Sequence, residues 1–211
     1  MSSWAPASDR SARCADVDRE TSGGRRRRYD PARRDRIIDA CLQVIGEAGV
    51  AGASTRRIAA AADVPLGSIT YHFADADELL REAFERFAHR VSDRFEEHMA
   101  RASTVDEARQ AVVDLIDSDV LVDPQELVLT HELYTLAARD PRYRRLTHEW
   151  MARGRHALER HFDPATARLL DALIEGLTIH RALDIEPHEP GETRHAVDLA
   201  TRGATHRGDP A

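Results

Sequence analysis

The residues of this chain best equipped for chemistry lie in one short stretch, 54–73, which reads STRRIAAAADVPLGSITYHF. Arg56 and Arg57 follow Ser54 and Thr55 at a helix start. Two cations there oppose the helix macrodipole, which favours anions at that end, so they point to an external anion. Ser68, Thr70, Tyr71 and His72 supply hydroxyl and imidazole donors. Such donors suit phosphate oxygens, and an arginine can pair bidentately with guanine O6 and N7. The chemistry on offer is recognition of a polyanion with readable base edges.

Those side chains need a frame. Ser54 is an expected N-cap, and residues 55–62 and 65–72 are expected short helices, with Pro65 tolerated at the start of the second. Ile58, Ala59, Ala62, Val64 and Ile69 are small or branched and spaced to pack the two helices together. Ala62, Asp63 and Val64 form the turn, where Asp63 can take a left-handed conformation less easily than glycine would. Helix, tight turn and helix in this order let one helix enter a DNA major groove. A preceding helix over 32–48 presents Ile37, Ile38, Cys41, Val44, Ile45 and Ala48 on one face and stops at Gly49.

The run from Ile37 to Leu80 resembles the DNA-binding domain of TetR/AcrR-type regulators: IIDACLQVIGEAG, then STRRIAAAADV, then PLGSITYHF and an acidic connection to Leu79 and Leu80. The resemblance implies that Arg56 contacts a base. It implies that Ser54 and Thr55 cap a helix and touch phosphate, and that Leu66, Gly67, Ser68 and Thr70 face base edges. Tyr71 and His72 would grip the backbone, and Phe73 would plug the core. Three positions depart from the pattern. Thr70 stands where many relatives carry Tyr, Asp63 where many carry Gly, and Ala76 where many carry a phosphate-clamping Lys.

Charge distribution fits this reading better than its total. The chain carries a net −7. Residues 25–73 nevertheless hold nine arginines against five acids, Asp30, Asp35, Asp39, Glu47 and Asp63. A basic head on an acidic body confines attraction for phosphate to one face. Residues 25–28 are four consecutive arginines, read either as a solvated run or as an arm into the minor groove.

Beyond the head the pattern stays helical. Expected helices cover 76–100, 104–118, 124–138, about 141–161, about 164–183 and about 191–202. Asp123-Pro124, Asp140-Pro141, Asp163-Pro164 and Glu189-Pro190 are read as helix starts. The fold class is therefore all-α, of about nine helices. A disordered basic tail covers 1–29, a helix-turn-helix domain 30–76, a ligand-binding and dimerisation domain 77–203, and a second disordered tail 204–211. Leu169, Leu170, Leu173, Ile174, Leu177 and Leu183 make a broad apolar surface on 164–183. Gly176 is expected to allow close helix packing.

The resemblance implies a homodimer through 164–183 and 191–202, and a palindromic double-stranded DNA operator. A small effector would act in the body, and pocket candidates are Leu115, Leu127, His131, Tyr134, Trp150, Met151 and Ile174. An apolar or amphipathic effector is expected rather than a highly charged one, acting on a repressor.

Other classes find little support. Cys14 and Cys41 suggest no disulfide framework, which fits a reducing cytoplasm. There is no apolar run long enough for a membrane span or a signal peptide. No P-loop, GxSxG, GxGxxG, CxxC or HExxH occurs. His156 and His161 diverge by about 140° on a helix and cannot share an ion. No metal, cofactor or catalytic residue is therefore assigned, and the chain is not read as an enzyme. Two rival classes stay in view: a helical protein–protein adaptor, and a helical enzyme using His131 or His180 as acid or base.

Overall fold

A computed structural model describes residues 32–117 and 124–203. Among them there are nine α-helices and no strand: α1 Arg33–Gly52, α2 Thr55–Ala61, α3 Leu66–His72, α4 Ala76–Ala100, α5 Val105–Asp117, α6 Pro124–Arg139, α7 Pro141–Leu158, α8 Pro164–Leu183 and α9 Glu192–Ala200. The arginines at 25–28, both expected tails and Asp123 lie outside the described residues.

Local chemistry explains most boundaries. Gly49 sits at φ +67°, ψ 173°, and breaks α1 into a long helix and a short final turn. A β-carbon there would also crowd the Glu132 carboxylate, but it is the positive φ that calls for glycine. The freed amide of Val50 donates to that same Glu132 Oε1 at 3.2 Å, which ties the kink to α6. Asp140 and Asp163 cap α7 and α8 as their Asp-Pro pairs predict: Asp140 accepts from Arg142 N, and Asp163 from Ala165 N and Thr166 N. Glu189-Pro190 behaves differently. The N-cap of α9 is Gly191 at φ +85° with no side-chain cap, and Glu189 contributes only its backbone oxygen, to Glu192 N at 3.1 Å.

α7 stops at Leu158, short of the expected 161. The chain then turns so that Phe162 enters the core and His161 Nε2 meets the Met99 carbonyl at 3.1 Å.

Two apolar clusters hold the helices. The first joins α1, α2 and α3 to the start of α4 and to α6 and α7, with Ile37, Ile45, Phe73, Phe84, Phe87, Leu133 and Tyr143 fully or almost fully buried. The second gathers the end of α4, α5, the end of α7, α8 and α9 around Met99, Val112, Leu158, Phe162, Leu170 and Val197. Burying a side chain such as Phe84 is worth about 1.5–3 kcal/mol. The first cluster runs straight across the line at 76/77 drawn from the sequence. The helix-turn-helix therefore rests on the same core as α6 and α7 rather than hanging from a linker.

Candidate nucleic-acid interface and effector cavity

Ser54 Oγ accepts from Arg57 N at 3.3 Å and opens α2. Val64 N donates to Ala59 O at 3.0 Å and closes the turn, with Asp63 in the left-handed region at φ +50°. Ile58, Ala59, Ala62, Ile69 and Phe73 are buried between the helices, and Val64 packs against them. The Arg34 guanidinium lies 5.0 Å over the Phe73 ring, which braces the end of α3 from α1.

This packing decides what α3 shows to solvent. Leu66 is 47% exposed and Tyr71 is 80% exposed. Gly67 and Thr70 are exposed, and a β-carbon on Gly67 would meet nothing within 4 Å. Thr70 Oγ1 donates to Gly67 O at 3.2 Å. His72 is half-buried, its ring 5.0 Å from that of Tyr71.

Ser68 departs from expectation. It is only 6% exposed and sits beside Ile69 on the inner face, so it is removed from the contact surface. Arginine placement also needs correcting. Arg57 Nη2 pairs with Glu47 Oε2 at 3.3 Å, so its charge has an internal partner. Arg56 is exposed and makes no ion pair or hydrogen bond of its side chain among the described residues. The dipole argument for an external anion therefore rests on Arg56 alone. Thr55, half-buried at the first helical position, does not share the capping role of Ser54.

Polar contacts fasten this head to the body. Arg34 pairs with Glu82, and Arg86 with Asp35 and Asp39, which joins α1 to α4. Arg142 Nη1 reaches Asp77 at 2.6 Å and the Tyr143 hydroxyl donates to it at 3.4 Å, so the start of α7 grips the first turn of α4. Burial together with Asp77 raises the Tyr143 phenol pKa above its usual value. Cys41 is buried, and desolvation pushes its thiol up to about 12, which leaves no reactive thiolate.

A cavity of about 130 Å³ lies between α4, α5, α6, α7 and α8. Five expected residues line it: Leu115, Tyr134, Trp150, Met151 and Ile174. Leu127 and His131 do not. α6 turns Thr130 and Tyr134 toward the cavity; Leu127 lies two turns before Tyr134 along the helix, and His131 is turned about 60° from it. His131 instead bonds through Nδ1 to the Leu127 carbonyl, 2.8 Å away on its own helix. Tyr134 stacks on Trp150 with centroids 5.9 Å apart and planes 23° from parallel, and Phe87 makes an edge contact with Trp150.

Nine wall residues were missed from the sequence, six of them polar: Ser92, Arg94, Thr130, Asp171, Glu175 and Thr178. A signal existed. Asp171, Ile174, Glu175 and Thr178 fall at i, i+3, i+4 and i+7, one face of an otherwise apolar helix. Burial raises the carboxyl pKa of both Asp171 and Glu175. Asp171 is partly compensated by Arg155 Nη1 at 3.0 Å. Glu175 faces the Tyr134 hydroxyl, whose own pKa is raised first by burial and then by that carboxylate.

The apolar face of α8 is divided by the fold. Leu170 is fully buried in its own core, Leu173 and Leu177 pack against it, and Ile174 lines the cavity. Leu169 and Leu183 stay exposed, as does Leu199 of α9. A β-carbon added at Gly176 would meet nothing within 4 Å among the described residues, so the close helix packing expected there is not seen within them.

Residues 37–83 match the family model for bacterial regulatory proteins of the tetR family, and residues 101–205 match the tetracyclin repressor-like C-terminal domain. The HTH-type transcriptional regulator BetI of Burkholderia thailandensis is 30% identical over 80% of this chain and 89% of its own length. A crystal structure of SCO7518, a candidate transcriptional regulator of Streptomyces coelicolor A3(2), is 55% identical, covers 82% of this chain and 98% of that one, and superposes with a TM-score of 0.74. The multidrug binding protein EbrR, solved in complex with imidazole, is 34% identical over 86% of this chain and 98% of its own, with a TM-score of 0.65. Two family models in the family's order, on an all-helical frame with the helix-turn-helix at its head, leave one assignment: the chain belongs to the TetR family of transcriptional regulators.

Proposed function

We propose that this regulator is a homodimeric repressor, working in the cytoplasm on a palindromic operator and released from it by a small amphipathic molecule bound in the body cavity. The observation that carries the DNA half is the outer face of α2 and α3. Arg56, Leu66, Gly67, Thr70 and Tyr71 are all exposed on a rigid, capped frame, and Arg56 has no ion-pair partner among the described residues. Arg56 reads a base, Ser54 and Thr55 touch phosphate at the start of α2, and Tyr71 with His72 grips the backbone. Leu66, Gly67 and Thr70 approach base edges closely because nothing crowds them. Two such heads address half-sites about 34–36 Å apart, or a multiple of that.

The cavity supports the effector half. Three of its five wall helices, α4, α6 and α7, also touch the head: α4 follows the recognition helix, α6 holds Val50 through Glu132, and α7 holds Asp77 through Arg142. A ligand that binds the free state more tightly than the DNA-bound state shifts the heads away from operator spacing. EbrR, a relative named as a multidrug binding protein and solved with imidazole and with ethidium, supports a small-molecule effector. The exposed Leu169, Leu183 and Leu199, with open space over Gly176, support dimerisation through α8 and α9.

The test is fluorescence anisotropy with duplex DNA from upstream of the protein's own gene, in the presence of competitor DNA. Competitor-resistant binding of two chains per site is expected, and Leu183→Glu with Leu199→Glu should yield monomers by sedimentation and weaken that binding. Competitor-sensitive binding, or dimers that persist in the double variant, would count against the operator or the interface respectively. Among the described residues, no helix is long and apolar enough to cross a membrane.

A further inference from the structure

We infer that the cavity is built for a small protonated aromatic or heteroaromatic amine carrying a second polar atom, with Glu175 as its counter-charge and Ser92 as its second hydrogen-bond partner. This rests on the reading of the cavity as the effector site. It also narrows the expectation of an apolar or amphipathic ligand to an amphipathic one with a single positive charge.

Size and shape come first. A cavity of about 150 Å³ in another protein holds one benzene, and the 130 Å³ here suits a single ring. Trp150 and Tyr134 stack on each other and both line the wall, so a flat ring can lie against an aromatic surface. Aromatic faces attract cations.

Charge comes next. Three ionisable side chains other than Tyr134 reach the wall: Arg94, Asp171 and Glu175. Arg94 is spent on the buried Glu126, at 2.6 Å, so it is not free to take an anion. Asp171 is spent on Arg155. Glu175 makes no ion pair with an arginine among the described residues, and what faces it is the Tyr134 hydroxyl, the like charge of Asp171 and the imidazole of His131. A partly desolvated carboxylate without a strong cation beside it favours a ligand that brings one.

Hydrogen bonding completes the pattern. Three aliphatic hydroxyls line the wall. Thr130 Oγ1 donates to Glu126 O at 2.9 Å, and Thr178 Oγ1 donates to Ile174 O, so both are satisfied within their own helices. Ser92 is only 2% exposed, yet its Oγ has no hydrogen-bond partner among the described residues. A helical serine usually returns its proton to the carbonyl four residues back. An unpaired buried hydroxyl on a cavity wall is a place for a ligand's polar atom.

Two probes of one shape separate the possibilities. 4-Aminopyridine is a cation at neutral pH, protonated on its ring nitrogen, whereas aniline has the same shape and amine, has C–H in place of that nitrogen, and is neutral. Calorimetric titration of the full chain should show 4-aminopyridine binding at least tenfold more tightly. Glu175→Gln should cut that preference to no more than the share carried by the Ser92 bond and leave aniline unchanged, and Ser92→Ala should weaken 4-aminopyridine by roughly threefold to tenfold, the range of one hydrogen bond. If aniline binds as tightly as 4-aminopyridine in the unaltered chain, the cation class is wrong while the cavity remains a ligand site. Equal losses of both probes in Glu175→Gln would make Glu175 structural and overturn its role. If neither probe binds at millimolar concentration, the effector reading of the cavity falls with the inference. The comparison in the unaltered chain decides the matter even if a variant folds poorly.

Discussion

Arg56 and Arg57 are adjacent and chemically identical, yet the structure predicts unequal effects on DNA binding. Arg57 is paired with Glu47, with 46% and 39% of the two side chains exposed. Exposed pairs of this kind are worth about 0–1 kcal/mol, so the pair does not immobilise Arg57, but it offsets part of its charge toward phosphate. Arg56 has no such partner among the described residues. A bidentate arginine–guanine contact carries about 1–3 kcal/mol of base discrimination. A dimer loses it twice, so Arg56→Ala should cost about 2–6 kcal/mol on a palindromic site. At 1.4 kcal/mol per tenfold, that is a loss of roughly 30-fold to 10⁴-fold. Arg57→Ala should cost no more than about tenfold, and should lower the slope of log affinity against log salt by about 1 per head, as removal of a phosphate contact does. The assay is anisotropy on the upstream duplex and on single-base variants of it, over a salt series. Arg56→Ala should flatten the ranking of variants at one position in each half-site. If Arg57→Ala is the more damaging change, or Arg56→Ala weakens every variant equally, the assignment of Arg56 to a base is refuted.

Three further outcomes concern stability. Asp63→Gly relieves a left-handed residue at φ +50°; the unfolded chain gains freedom in return, so a net gain of about 0.5–1 kcal/mol is expected, read as a rise of roughly 1–4 °C in Tm, and no rise would mean that Asp63 makes up for its own strain. Gly49→Ala places a side chain at φ +67° and crowds the carboxylate that caps Val50; strain of about 1–2 kcal/mol and a weakened charged hydrogen bond predict a loss of about 2–4 kcal/mol in urea unfolding, and a loss below about 0.5 kcal/mol would deny the kink its structural role. Burial raises the folded-state pKa of Glu175 above its ordinary 4.5; a raised folded value adds stability that is full below the unfolded pKa and is lost as pH rises through the folded one. Glu175→Gln should therefore be more stable than the unaltered chain at neutral pH, with the difference vanishing in acid, and a pH-independent difference would contradict the desolvation argument.

Elements with local causes were legible. Ser54, Asp140 and Asp163 cap the helices that their positions predict, because a cap is a contact within three residues. Gly49 ends the long part of α1 and Asp63 makes the left-handed turn for equally local reasons. The inner face of the helix-turn-helix follows from periodicity: Ile58, Ala59, Ala62, Ile69 and Phe73 are buried as their spacing requires. Ser68 was misplaced because a small polar residue is compatible with either face, and only the packing of α3 settles which one it takes.

By itself, then, the sequence determined an all-helical chain, the position of its helix-turn-helix and its family. All three follow from caps, turns and apolar periods written within a few residues of each other. Tertiary structure decided which of two adjacent arginines is free, since Glu47 that neutralises one of them sits ten residues upstream on another helix. It decided that the head shares a core with α6 and α7. It also decided the character of the cavity. Tyr134, Trp150 and Glu175 lie on three different helices, and no sequence period relates them. A site assembled from α4, α5, α6, α7 and α8 comes into being only when those helices pack, so its charge and its unpaired hydroxyl can be read only from the folded chain.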